Sequence, residues 1–175
     1  SNNDKMSTKF SVVRYGNVMG SRGSIIPFFF SLKNNQLVPI THKDMTRFMI
    51  SLEDAVKLVW HSFSDLEGGE IYVKKIPSMK VVDIAKTIKP KSKFKIIGIR
   101  PGEKIHEQMI GIEDALNTFE YSDYFKILPS LYNWSKDTKR IKDGKKVSQD
   151  FRYASDNNLH WMKSQELQKW LKKNL

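Results

Sequence analysis

The stretch Gly98-Ile99-Arg100-Pro101-Gly102-Glu103-Lys104-Ile105-His106-Glu107 constrains this chain more than any other. It follows a strand-like run, Phe94 to Ile99, and reads as the opening of a helix that continues to Ile110. Pro101 fits a first helical turn, where its fixed φ is already helical and its missing N–H is not needed. Arg100 then stands at the seam between a strand end and a helix start. Free backbone N–H groups and the positive end of the helix dipole face such a seam. Arginine adds a planar, permanently charged fork that matches phosphate oxygens. The stretch therefore predicts an anion site, with Glu103 placed to accept hydrogen bonds from sugar hydroxyls. The alternative is a first-turn acid with Arg100 as its exposed ion-pair partner, a common and weak arrangement.

Earlier in the chain, Phe10 to Tyr15 is a β-rich run that ends in the glycine-rich loop Gly16-Asn17-Val18-Met19-Gly20-Ser21-Arg22-Gly23-Ser24. A strand running into such a loop is the usual place for ligand contact in open α/β sheets. The G-x-x-x-G-x-x-G spacing is a near miss to the dinucleotide loops, and Arg22 and Pro27 suit a phosphate cradle poorly. Asn17 and Ser24 remain good polar contacts where glycines let a ligand approach the backbone. Ile25 to Leu32 reads as a buried helix, Asn34-Asn35 as a turn, and Leu37 to Thr41 as a strand that Pro39 places at an edge. Met45 to Ile50 is a further strand. Arg47 lies among its apolar residues and needs an anion or a carboxylate; a surface ion pair would serve equally.

Ser51 and Asp54 predict an N-capped helix that ends near Gly68-Gly69. Glu70 to Val73 reads as a strand, Ile76 to Met79 as a turn, and Ser78 to Ile88 as an amphipathic helix. Phe119 to Phe125 is less regular and rich in aromatics. Lys136 to Lys146 carries six basic residues against two acidic ones and reads as a solvated loop. A last helix, Ser164 to Leu175, has Ser164 as its cap and Leu167, Trp170 and Leu171 as its buried stripe.

The 175 residues suffice for a domain with a real core. Zero cysteines exclude disulfides and thiolate metal sites and suit a reducing cytoplasm. No apolar run is long enough for a transmembrane helix. The N-terminal residues lack the apolar core of a secretion signal. A net charge of +11 favours anionic partners without choosing among nucleic acid, phosphorylated substrates or acidic surfaces. His106-Glu107 begins an H-E-x-x-H pattern that Ile110 breaks. His42, His61, His106 and His160 have no metal-ligand spacing, so no metal site is expected. The Tyr132-x-x-x-Lys136 pair follows Pro129 among weak helix formers and reads as a coincidence.

Several stretches together resemble one family. They are Arg14-Tyr15-Gly16-Asn17-Val18, Gly20-Ser21-Arg22-Gly23-Ser24, Met45-Thr46-Arg47-Phe48, Ser51-Leu52-Glu53-Asp54, Gly69 to Val73, Lys75-Ile76-Pro77-Ser78-Met79 and Gly98 to Lys104. In this order and spacing, over residues 9–160, they are similar to the C-terminal half of the inverting UDP-N-acetylglucosamine 4,6-dehydratases. These are extended short-chain dehydrogenase/reductases of nucleotide-sugar metabolism, and the Lys-Ile-Pro-Ser-Met stretch favours their short soluble branch.

The resemblance implies an α/β fold: the C-terminal portion of an NAD(P)-binding Rossmann fold with its smaller α/β substrate-binding domain. Residues 1–30 would end the Rossmann domain and 31–175 form the substrate domain. The NADP loop, the catalytic Tyr-x-x-x-Lys and the acid–base pair would precede residue 1, leaving no catalytic residue in this chain. By position, Asn17 would contact substrate and Val18 the nicotinamide end of NADP. Arg22 and Ser24 would lie over the UDP-sugar, and Thr41 would line the uracil or ribose. Arg47 and Arg100 would hold the diphosphate, Glu103 the uridine ribose, and Tyr153 would close the site. The expected setting is cytoplasmic, in pseudaminic acid or surface-glycan synthesis. The full-length form would be a homo-oligomer, with no nucleic-acid or membrane partner. Two alternatives stay open: a non-catalytic nucleotide-sugar-binding module and a basic nucleic-acid-binding domain, the latter without any recognisable binding motif.

Overall fold

A computed structural model describes residues 8–33, 36–130 and 137–174. Along the chain, β1 (Val12–Arg14) and β2 (Asn17–Val18) precede α1 (Ile25–Ser31), β3 (Val38–Ile40) and β4 (Thr46–Ile50). Then come α2 (Leu52–Asp65), β5 (Ile71–Lys74), β6 (Ser78–Lys80), α3 (Val81–Ile88), β7 (Phe94–Ile96) and β8 (Gln108–Ile110). The last third holds α4 (Ile112–Ala115), β9 (Thr118–Glu120), β10 (Tyr124–Ile127), α5 (Thr138–Ile141), β11 (Lys145–Lys146), β12 (Tyr153–Ala154) and α6 (Ser164–Asn174). The α/β class expected from the sequence is the class observed.

The chain forms two compact units that interleave along the sequence. The first takes residues up to 14, 56–75 and 110–151. Its five-stranded sheet has the order β1-β5-β10-β9-β11. β1 runs parallel to β5, with Val13 opposite Tyr72, and the remaining pairs are antiparallel. Val73, Phe125 and Ile127 are buried on one face of this sheet, and Tyr72, opposite Lys126 in register, is buried on the other. Lys126 is buried beside Tyr72, and Asp65, also buried, accepts the Tyr72 hydroxyl.

The second unit takes residues 15–55, 76–109 and 152–175. It contains the sheet β2-β4-β6 and the pairs β3-β7 and β12-β8. Ile26 and Phe29 of α1, Val38 and Ile40 of β3, Met49 of β4, Ile84 of α3 and Leu167 of α6 share one core, against which Trp170 and Leu171 also pack. The expected stripe of the last helix is thereby in place. Just before β2 the backbone presses so closely on β4 that a Cβ on Gly16 would lie 2.3 Å from the Phe48 Cβ. That glycine answers to packing.

The capping expected at α2 is present: Ser51 Oγ accepts the Asp54 N–H at 3.1 Å and donates to the Asp54 carboxylate at 2.6 Å. Other expectations are corrected. The helix from Pro101 to Ile110 does not exist. Arg100 to Glu103 is a turn closed by the Glu103 N–H on the Arg100 carbonyl at 3.0 Å, and Gly102 has φ +79°. Proline at the second position and a positive-φ glycine at the third are the requirements of a type II turn. The chain then leaves as β8, so no helix dipole faces Arg100.

Helix α3 begins at Val81 and not at Ser78, because Ser78–Lys80 pairs with β4 as β6. α2 stops at Asp65, short of the glycines. The irregular aromatic stretch is the β9–β10 hairpin, with Phe125 opposite Glu120. Residues 138–141 of the charged loop form α5, capped by Asp137, whose Oδ1 accepts the Arg140 N–H at 3.0 Å. In α6, Ser164 is already helical; the preceding Lys163 N–H donates to Glu166 Oε2 at 2.6 Å. The Asn34-Asn35 turn and the Tyr132/Lys136 pair lie outside the described residues.

Candidate functional site

The second unit holds a cavity of about 380 Å³, and Asn17, Ser24, Thr41, Arg47, Arg100 and Glu103 all line it. Each reaches it from an element that the sequence dictates locally. Asn17 stands on β2, in register with Met49 of β4. Ser24 precedes α1, where its side chain makes no cap bond. Its buried Oγ has no hydrogen-bond partner among the described residues, so a polar group in the cavity would complete it. Thr41 follows the end of β3, and its Oγ1 donates to Glu103 Oε1 at 3.2 Å. The type II turn brings Glu103 there, and its Oε2 also accepts the Arg100 backbone N–H at 3.3 Å.

The two arginines differ in how much of their charge is already used. Arg47 Nη1 donates to the carbonyls of Thr46 at 2.7 Å and Ile105 at 3.1 Å, and Nη2 donates to the Lys104 carbonyl at 3.1 Å. Its Nε lies 3.7 Å from Glu107 Oε1. Counting donors leaves one Nη2 N–H for a ligand. Arg100 is exposed, and among the described residues its guanidinium has no ion pair or hydrogen bond. The ion pair of Arg100 with Glu103 entertained from the sequence is therefore absent: the carboxylate takes the Arg100 backbone and the guanidinium stays open to the cavity.

Behind Arg47 lies a polar lattice that the sequence did not disclose. Thr46 Oγ1 is 2.6 Å from Ser155 Oγ and 2.8 Å from His106 Nδ1. Ser155 Oγ also accepts the Glu107 N–H at 2.9 Å, and Thr46 N–H donates to the Ile105 carbonyl at 3.0 Å. The Thr46 hydroxyl thus bridges Ser155 Oγ and the His106 ring, donating to one and accepting from the other. Thr46 and Ser155 are fully buried. Together they pin residues 105–107 against β4, and so fix the far end of the loop that carries Arg100 and Glu103.

Glu107 faces the same region. Its Oε2 accepts the Phe48 N–H at 2.9 Å. With the Asn17 amide nitrogen turned toward it, Asn17 donates to Oε1 at 2.8 Å and to Oε2 at 3.0 Å. Burial pushes the Glu107 carboxyl above the usual carboxylate range, and the Phe48 N–H, Arg47 and Asn17 offset part of that rise.

The other residues singled out from the sequence stand apart from the cavity wall. Arg22 is exposed in the turn from Ser21 to Ser24, closed by Ser24 N–H on the Ser21 carbonyl at 3.0 Å. Val18 is half-buried on β2, opposite Ile50. Tyr153 is buried behind β4, its ring 4.9 Å from that of Phe48. Its hydroxyl accepts the Ile76 N–H at 2.9 Å and lies 3.0 Å from the Ile76 carbonyl, and burial pushes its pKa up to about 12. Among the described residues no group of three or more His, Cys, Asp or Glu is placed to hold a metal ion. None of the described helices is long and apolar enough to cross a membrane.

Two arginines, a carboxylate, an amide and hydroxyl groups thus line one cavity of this α/β protein. The chain belongs to the polysaccharide biosynthesis protein family, whose model matches residues 1–129. It is 48% identical over 167 residues to a UDP-N-acetylglucosamine 4,6-dehydratase (inverting) of Campylobacter jejuni, covering 91% of this chain and 50% of that protein. A UDP-glucose 4-epimerase of Rickettsia canadensis is 40% identical over 125 residues, 69% of this chain and 37% of that one. Among solved structures, the X-ray structure of Pen from Bacillus thuringiensis matches with a TM-score of 0.76 and 31% identity, over 95% of this chain and 49% of that one. The chain thus spans about half the length of the curated dehydratases it matches. The resemblance seen in the motifs is borne out by these identities.

Proposed function

We propose that this chain is the substrate-binding portion of an NADP-dependent UDP-N-acetylglucosamine 4,6-dehydratase that inverts C5. The observation that carries the proposal is the convergence of Arg47, Arg100, Thr41, Glu103, Asn17 and Ser24 on one cavity in a chain 48% identical to such an enzyme. Arg100, with its guanidinium open, and the remaining N–H of Arg47 hold the diphosphate. Glu103, held by Thr41 and the Arg100 backbone, accepts from the ribose hydroxyls. Thr41 lies along the nucleoside, and Ser24 and Arg22 lie over the sugar. Tyr153 supports the site from behind Phe48.

The chemistry that these contacts serve is an internal redox. Oxidation of the sugar at C4 acidifies the C5 proton; a base removes it, water leaves from C6, and C5 is reprotonated from the opposite face. The nicotinamide coenzyme supplies hydride acceptance at C4 and hydride return at C6 when bound. In this reading the chain meets that coenzyme at the nicotinamide end, through Val18; Gly16 is required by the Phe48 contact and belongs to no G-x-G-x-x-G loop. In this account the acid–base groups and most of the coenzyme site lie outside these 175 residues. In this reading residues 1–30 end the Rossmann domain and 31–175 form the substrate-binding domain. The reading places the full-length protein in the cytoplasm as a homo-oligomer working toward pseudaminic acid or related surface glycans.

Complementation tests the proposal. The chain mixed with the N-terminal half of the Campylobacter jejuni relative, NADP⁺ and UDP-N-acetylglucosamine is expected to form a 4-keto product one water lighter than the substrate by mass spectrometry. The chain alone is expected to form none. A stable complex of the two halves that leaves the substrate unchanged would contradict the proposal.

A further inference from the structure

We propose that Glu107 is a positioning residue that fixes the Asn17 amide with its oxygen toward the cavity, so that the site selects a ligand with a hydrogen-bond donor there, a hydroxyl or an amide N–H. The ligand half of this inference rests on the functional reading above; the positioning half does not.

Glu107 is held from both sides. Its backbone N–H donates to Ser155 Oγ at 2.9 Å, and its carbonyl accepts the Ser155 N–H at 2.7 Å. Its carboxylate accepts the Phe48 N–H at 2.9 Å. An ionised carboxylate only accepts. The amide facing it must therefore present its NH₂, and Asn17 does so to both oxygens, at 2.8 and 3.0 Å. The same amide then turns Oδ1, an acceptor, to its other side. The backbone of Asn17 cannot drift to relieve this, because β2 is paired to β4 with Asn17 opposite Met49.

Asn17 also stands at a junction. It lines the cavity that contains Arg47 and Arg100. It lines a neighbouring cavity of about 310 Å³ as well, to which Glu107 and Lys104 contribute. A ligand whose phosphates rest on the arginines reaches Asn17 with its next group. That group meets a fixed acceptor that cannot rotate to offer a donor. In UDP-N-acetylglucosamine the next group is a hexose rich in O–H donors and carrying one amide N–H. A ligand lacking a donor at that point leaves the Asn17 oxygen desolvated and unpaired, the kind of mismatch that discriminates more strongly than a misfitting apolar group.

The test has a ligand-free arm and a ligand arm, both on the full chain. The Asn17 side-chain NH₂ signals are assigned in ¹⁵N–¹H NMR by their loss in Asn17→Asp. They are expected to move with pH as Glu107 titrates beside Arg47 and Lys104, and to lose that titration in Glu107→Gln. Signals that do not titrate in the wild-type chain would overturn the positioning role.

Calorimetry then compares UDP-N-acetylglucosamine with UDP. Glu107→Gln is expected to weaken UDP-N-acetylglucosamine about tenfold, the scale of one lost hydrogen bond, while leaving UDP within about twofold. Asn17→Asp combined with Glu107→Gln is expected to restore the sugar preference, because an amide at position 107 then donates to a carboxylate at position 17. A sugar preference unchanged in the single variant, or a double variant no better than the single, would overturn the inference. A wild-type chain that binds neither ligand but shows the titrating amide would overturn the functional reading and the ligand half, and leave the Glu107–Asn17 contact standing.

Discussion

Asp65→Ala is expected to lose about 3–5 kcal/mol of unfolding free energy, the scale of a broken buried ion pair. Asp65 receives Lys126 on Oδ2 and Lys142 on Oδ1, and its Oδ2 also accepts the Tyr72 hydroxyl at 2.8 Å. Lys126 is 1% exposed at its side chain. It lies 5.4 Å from the Tyr72 ring centre and 5.1 Å from that of Tyr121, and donates to the Arg140 carbonyl at 2.8 Å. Removing Asp65 leaves this buried ammonium with the Arg140 carbonyl and two aromatic rings and without its carboxylate. Lys126→Met is expected to cost less, because Asp65 keeps Lys142, which is half exposed, and Tyr72. Urea denaturation followed by circular dichroism ranks the two; equal losses would contradict the asymmetry.

The same cluster sets an acid limit. Burial alone would push the Asp65 carboxyl up, but the bonds from Lys126, Lys142 and Tyr72 outweigh it and hold its pKa at about 2. A carboxyl depressed in the folded state stabilises it fully above the unfolded value, and that contribution is lost as pH falls toward 2. In Asp65→Ala this part of the acid sensitivity is expected to disappear.

Arg47→Ala is expected to lose both stability and ligand binding. The side chain is 15% exposed and makes charge-assisted bonds to the carbonyls of Thr46, Lys104 and Ile105. Bonds of that kind are worth more than neutral ones. Since some of the freed carbonyls can be rehydrated, the expected loss is about 2–4 kcal/mol in unfolding free energy. The loop that carries Arg100 and Glu103 then loosens, so affinity for UDP-N-acetylglucosamine falls further than the loss of one phosphate contact requires. Glu107 also loses its cationic neighbour, and its titration is expected to move upward in the variant. Arg47→Ala with wild-type stability and only weakened binding would mean that the carbonyl bonds do not organise the loop.

Much of the site was legible in the sequence, though partly for a reason that does not hold. Arg100 and Glu103 were singled out from a supposed helix start, whereas Pro101-Gly102 is the signature of a type II turn, and the turn itself brings Glu103 back to the Arg100 N–H. Local devices were the legible ones: the Ser51–Asp54 cap and the Leu167 stripe depend on residues three or four apart. The β9–β10 hairpin was missed although Ser122-Asp123 between aromatic runs was a usable turn signal. Glu107, Thr46 and Ser155 were missed because nothing local marks them. Thr46 meets Ser155 across 109 positions and Phe48 meets Glu107 across 59, pairings that only the folded register creates. Lys126 in an apolar strand gave no hint of Asp65, since a lysine there reads equally well as a solvated edge.

The central claim is that this chain binds a nucleotide sugar through Arg100. Isothermal titration of UDP-N-acetylglucosamine into the wild-type chain and into Arg100→Ala tests it most directly. Because the Arg100 guanidinium holds no protein group among the described residues, the variant is expected to keep its unfolding midpoint. Its affinity is expected to fall at least about tenfold, as loss of a charged phosphate contact implies. Equal affinity in the two proteins, or a folded wild-type chain that shows no binding, would contradict the account.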